Sequence, residues 1–261
     1  MIKVLFMGRK PVAAKCLAWL IERTDVEIVG VLTDTHLSVS PTSEVARKNG
    51  IKLFDFESAA KALENGALTF DIGFSMLYWR KLKDHFLSVP PLKIINFHPA
   101  PLPEYKGTAG YNIAILEGLK EWGVTAHYVD EEIDTGEIIE ISKLPVCYET
   151  ETAQSLEEKC RPVLFDLFKK IANNAIVSNT ILDSYPNKGG VYISRQQMEA
   201  LKEIKEPDDI NRKIRAFWFP PYEGAYIKIG GDKFTLVNQF ILQSLSNPNN
   251  SSLFTTPSKV K

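Results

Sequence analysis

Short apolar runs alternate with amphipathic segments through the first hundred residues, and this rhythm constrains the fold more than any other feature. Residues 3–7, 26–32, 51–56, 69–76 and 93–97 read as strands, and residues 11–23, 42–49, 57–65 and 79–87 read as the helices between them. Val12, Cys16, Leu17 and Leu20 recur at helical spacing in the first of those helices. Strand–helix–strand order predicts an α/β fold, a Rossmann-like, mostly parallel sheet with helices on both faces. Two further strands, 123–130 and 137–145, are joined by a short link and predict an antiparallel pair added to the sheet. A long amphipathic helix opens at Thr152 and runs to about Ile176, with Pro162 as a potential kink.

The character changes near residue 180. Residues 181–240 hold short segments and a strand–turn–strand, AYIKIGGDKFTLVNQ, with glycines at the turn. Such a hairpin is marginal alone and must pack on its own chain or on another subunit. Residues 241–261 are rich in Ser, Asn and Pro and read as a flexible tail. The whole chain has 261 residues, enough for a sizeable core, and a net charge of −1, which argues against a protein built to coat nucleic acid. Three cysteines without a CxxC pair argue for a reducing compartment. With no run long enough to span a membrane and no signal-peptide pattern, the reading is a cytoplasmic protein.

The first βα turn, GRKP, carries one glycine where a dinucleotide fingerprint needs three. Arg9 and Lys10 there read equally as a phosphate contact or as solvated cations. The stretch INFHPAPLPEYKG is more informative. Asn96 and His98 lie two apart at the end of a strand, so both point to one face, where open α/β sheets gather ligands. Pro99, Pro101 and Pro103 stiffen the loop that follows. A lone histidine at a strand end reads first as structural, and Asp134 in EEIDTGEII reads first as a turn former, with Gly136 available for positive φ.

Taken together, Asn96, His98 and Asp134, in NFHPAPLPEYKG and EEIDTGEII, resemble the 10-formyltetrahydrofolate-dependent formyltransferases. The resemblance covers about residues 1–180, which it implies are the catalytic domain. HPAPLPEYKG, FWFPPYEGA and the short ending look most like the members that formylate nucleotide-linked amino sugars. It implies transfer of a formyl group from 10-formyltetrahydrofolate to the amine of a dTDP-linked 4-amino-4,6-dideoxy sugar for surface polysaccharide synthesis. The alternatives are a methionyl-tRNA formyltransferase with a reduced C-terminal domain and a non-catalytic folate- or nucleotide-binding module. Residues 181–261 hold 11 basic and 8 acidic residues, a weak footprint for tRNA.

Formyl transfer to an amine needs a base, an oxyanion donor and an acid. By residue type His98 suits the first task and Asn96 the second, while Asp134 orients the imidazole and stabilises its charged form, raising its pKa. No metal is expected, because nothing supplies three or four ligands. The resemblance implies folate contacts, largely main-chain, at Tyr78, Arg80 and Leu82 and at Asp130 and Ile133. Leu82 and Ile133 read equally as core packing. Trp218 and Tyr222 are candidates to hold the base, Arg9 and Lys106 the phosphates, and Tyr105 the sugar, with Phe217 and Phe219 read rather as core. The resemblance also implies a homodimer through the C-terminal region.

Overall fold

A computed structural model describes residues 1–33, 40–108 and 110–245. In chain order the elements are β1 (Ile2–Gly8), α1 (Lys10–Ile21), β2 (Val26–Leu32), α2 (Pro41–Lys48), β3 (Leu53–Phe54), α3 (Phe56–Glu64), β4 (Ile72–Met76), α4 (Asp84–Leu87), β5 (Ile94–His98), β6 (Tyr105–Gly107) and α5 (Gly110–Leu116). They continue with β7 (Glu121–Tyr128), β8 (Ile138–Pro145), α6 (Ala153–Ser178), β9 (Val191–Ile193), α7 (Arg195–Ala200), α8 (Ile210–Phe217), β10 (Tyr226–Ile229), β11 (Asp232–Thr235) and α9 (Gln239–Leu245).

Seven strands form one sheet in the order β3-β2-β1-β4-β5-β7-β8. The first five are parallel, and β7 and β8 add to β5 antiparallel, as the sequence predicts. Strand order reverses between β1 and β4, which opens a crevice at their carboxyl ends. Alternation along β1 divides the core. Val4 and Phe6 face one layer with α1 and α6, and Leu5 and Met7 face the other with α3 and Phe86. Phe168 of α6 anchors the first layer, its ring edge-on to Phe6, Trp19, Phe74 and Phe97 at 5.0–6.3 Å.

Three sequence expectations shift. The strand expected over 51–56 shrinks to Leu53–Phe54, because Asp55 accepts from the Ser58 N–H and caps α3. The helix expected over 79–87 is confined to Asp84–Leu87, because Lys83 is extended (φ −100°, ψ 173°) and stands as its N-cap. Residues 239–245, partly placed in the tail, form α9 with Ile241 buried; the rest of that tail lies outside the described residues.

Residues beyond α6 are not a separate layer. Ile214, Ala216, Phe217, Ala225 and Ile241 share a small core with Ile115 of α5 and Ala153 of α6. Gly230 and Gly231, both at positive φ, close the β10–β11 hairpin. Among the described residues no helix is long and apolar enough to cross a membrane.

Candidate active site

The carboxyl end of β5 carries Asn96 and His98, and the β7–β8 connection carries Asp134. The structure brings all three together. His98 Nδ1 lies 3.4 Å from Asp134 Oδ2, and His127 Nε2 lies 3.6 Å from Asp134 Oδ1. Asn96 Nδ2 is 3.0 Å from His127 Nε2. Asp134 Oδ2 also accepts the Gly107 N–H at 2.9 Å. The side chains of His98, His127 and Asp134 are all buried.

Backbone carbonyls assign the tautomers, because a carbonyl only accepts. His98 Nε2–H donates to the Tyr105 carbonyl (2.8 Å), leaving Nδ1 as the basic atom facing Asp134. His127 Nδ1–H donates to the Tyr128 carbonyl (2.7 Å), leaving Nε2 to accept from the Asn96 amide. The Ser75 hydroxyl donates to Asn96 Oδ1 at 2.7 Å. The amide is therefore held in one sense, with one of its two N–H groups committed and the other available to a substrate oxygen.

Burial lowers the His98 pKa, against the pull of Asp134 and with a smaller contribution from His127. Asp134 acts in the expected direction, raising it, but desolvation of the imidazolium outweighs that pull. For Asp134, burial alone acts upward, and it is overcome by the two histidines and the Gly107 N–H, which hold the carboxyl at about 2.

The proline loop is pinned as well as stiff. Thr125, opposite His98 in the sheet, donates to the Ala100 carbonyl and accepts from the Leu102 N–H, and the Trp122 indole donates to the Pro99 carbonyl. Gly136 has a different reason from the one expected. Asp134 takes the positive φ (+56°), whereas a Cβ on Gly136 would stand 1.9 Å from the Tyr128 carbonyl oxygen.

The other candidates divide. Lys81 and Glu132 pair at 3.1 Å and tie the 77–83 segment to the 129–134 loop, so the two expected folate loops are neighbours. Between them Trp79 and Ile133 are exposed, Leu82 is buried in the second core layer, and Tyr78 packs against that layer. Arg80 pairs with Glu57 (3.3 Å) and stacks on Phe56 and Trp79. Asp130 accepts from the Thr135 hydroxyl and the Glu132 N–H. The Arg9 N–H donates to the Met76 carbonyl, which sets the first βα turn over the crevice, while Lys10 pairs with buried Glu157 at 3.0 Å. Tyr105 points its hydroxyl at Glu117 (2.6 Å), and Lys106 reaches the Gly189 carbonyl (2.8 Å). Trp218 is half-buried in the C-terminal core, with Phe217 fully inside it. Tyr222 is exposed beside Phe219, whose ring has Lys10 Nζ at 5.8 Å, so this segment adjoins the first turn.

A mostly parallel sheet with its order reversed, and an amide, an imidazole and a carboxylate gathered at its carboxyl edge, is the arrangement of an α/β protein with a polar site of the kind acyl transfer needs. Residues 2–165 match the model of the formyl transferase family, and the chain belongs to that family and is a formyltransferase. Its chain is 28% identical to the N-formyltransferase of Helicobacter canadensis, solved in complex with folinic acid and dTDP-3-aminofucose; the likeness covers 89% of this chain and 86% of that one with a TM-score of 0.71. A 4-N formyltransferase from Francisella tularensis shares the fold at 22% identity, over 91% of this chain and 97% of that one, with a TM-score of 0.76. The methionyl-tRNA formyltransferase of Symbiobacterium thermophilum is 28% identical over 242 residues, 87% of this chain and 72% of the relative.

Proposed function

We propose that the chain moves a formyl group from 10-formyltetrahydrofolate to the amino group of a dTDP-linked 4-amino-4,6-dideoxy sugar. The observation that supports a dTDP-linked amino sugar as acceptor is the likeness to the Helicobacter canadensis enzyme, solved with dTDP-3-aminofucose and covering 86% of that chain; the 4-amino position rests on the sequence resemblance alone. In this reading the amine attacks the formyl carbon and loses a proton to His98 Nδ1, where Asp134 stabilises the imidazolium. As the tetrahedral intermediate collapses, the carbon–nitrogen bond to the folate breaks and the imidazolium gives that proton to the departing nitrogen. The free Asn96 N–H stabilises the oxyanion, a donor of the kind worth about 2.7–4 kcal/mol of barrier. The neighbouring loops suit a pterin ring, with Trp79 and Ile133 for its faces and the main chain of Tyr78, Arg80, Leu82 and Asp130 for the hydrogen-bonding groups along its edge. Arg9, Lys106, Tyr105, Trp218 and Tyr222 are the proposed walls for the sugar nucleotide. Exposed Phe234, Val237, Phe240 and Leu242 give the C-terminal region the apolar surface for a homodimer.

A second reading follows from the sequence relatives: a methionyl-tRNA formyltransferase, since the likeness to two such enzymes covers 72% and 76% of their length. Purified protein is assayed with 10-formyltetrahydrofolate against dTDP-4-amino-4,6-dideoxyglucose, dTDP-3-aminofucose and methionyl-tRNA. Formylation of the 4-amino sugar is expected. Preference for the 3-amino sugar moves the site of attack, and formylation of the tRNA alone overturns the sugar reading.

A further inference from the structure

After α6 the chain returns across the active site as a strap, beyond the residues that match the family model. Tyr185 exchanges both backbone hydrogen bonds with Ile138, at 2.9 Å each. Asn187 then turns inward and is buried. Its Nδ2 stands 3.0 Å from the Asp134 carbonyl and 2.9 Å from the Gly136 carbonyl. Both partners can only accept, which assigns the nitrogen to that side and commits both of its hydrogens. The strap next crosses the other catalytic loop. A Cβ on Gly190 would stand 1.5 Å from the Pro103 carbonyl oxygen, and β9 pairs in parallel with β6. That strand supplies the Tyr105 carbonyl to His98 and the Gly107 N–H to Asp134.

We propose that Asn187 is a positioning residue for the Asp134 carboxylate. Its amide clamps the carbonyls on either side of Thr135 and so holds Asp134 at φ +56°, with its carboxylate between His98 and His127. An unclamped aspartate relaxes toward the common negative-φ region, which swings the carboxylate away. The inference rests on the reading of Asp134 as an aid to formyl transfer.

The test is made on the full chain, without ligand and then in turnover. The groups facing the His98 ring are Asp134, His127 and the Tyr105 carbonyl, and of the side chains only Asp134 carries negative charge. The His98 pKa, followed by NMR, is expected to fall in Asn187→Ala, in the same direction as in Asp134→Asn, with no further fall in the double variant. Asn187→Leu keeps the side-chain shape and adds no charge but has no donor for the two carbonyls, and the same shift is expected. With 10-formyltetrahydrofolate and dTDP-4-amino-4,6-dideoxyglucose, kcat falls about 10–100-fold with KM within about twofold. In the Asp134→Asn background, removing Asn187 costs little more. A His98 titration unchanged in both Asn187 variants, while Asp134→Asn shifts it, overturns the positioning role. Full turnover in Asp134→Asn instead removes Asp134 from the mechanism and leaves the titration result to decide Asn187.

Discussion

Two carbonyls decide where the protons sit in this site. Those of Tyr105 and Tyr128 each fix a histidine tautomer, so His98 presents a lone pair to Asp134 and His127 presents one to Asn96. His98→Ala is expected to lower kcat by roughly 10²–10⁴, the ordinary worth of a general base, with KM for both substrates little changed; steady-state kinetics with each substrate varied measures the split. Acid acts on stability through two groups with the same sign. The folded His98 pKa lies below that of the unfolded ring, near 6.5, so the unfolded chain takes that proton first and stability falls as pH drops below about 6.5. Asp134, held at about 2 in the fold, adds a second loss as pH falls from about 4 toward 2. Calorimetric Tm against pH should show both, with the upper loss absent in His98→Gln and the lower reduced in Asp134→Asn, since Asp25, Asp55 and Asp208 are also held below their usual range. Asn96, His98 and Asp134 were legible because their motifs are local. His127 and Ser75 were not, since each matters only through sheet register: His127 pairs with Asn96 across an antiparallel ladder, and Ser75 across a parallel one. Alternating residues in GVTAHYVD signal a strand without showing what lies opposite.

At the scale of elements, the close approach of Gly136 to the Tyr128 carbonyl closes the β7–β8 connection that carries Asp134. Gly136→Ala is expected to push the Asp134 turn off the Tyr128 carbonyl, costing about 1–3 kcal/mol of stability and at least tenfold in kcat; denaturant melts and turnover report the two losses. Strands buried on both faces were readable from their apolar runs, and Val26–Leu32 has the expected limits. Misplaced limits fall at residues whose role is set by backbone geometry, Asp55 and the extended Lys83, both of which precede a helix. The strap from Tyr185 to Ile193 was invisible for a related reason. It holds one three-residue strand, and its partners lie some fifty to eighty-five residues earlier in the chain.

For the whole molecule, the C-terminal region combines a small core against α5 and α6 with an outward apolar surface on β11 and α9. Phe234→Glu with Phe240→Glu is expected to leave the fold intact, because both rings are exposed in the single chain, while converting the proposed dimer to monomer in sedimentation velocity. A wild-type protein that sediments as a monomer removes the dimer. The fold class was readable from alternation alone, but the docking of residues 181–245 was not, because it depends on helix faces that meet only in three dimensions.

β1 lies between β2 and β4, so a strand made before both of its neighbours becomes an interior strand of the sheet. Its second neighbour begins 70 residues later, at Ile72. At about 5–20 residues per second, translation leaves one edge of Ile2–Gly8 unpaired for roughly 3–14 s. During that interval its apolar side chains are open to chaperones or to a neighbouring nascent chain, and slowing elongation across residues 30–70 should raise the insoluble fraction without altering the finished enzyme.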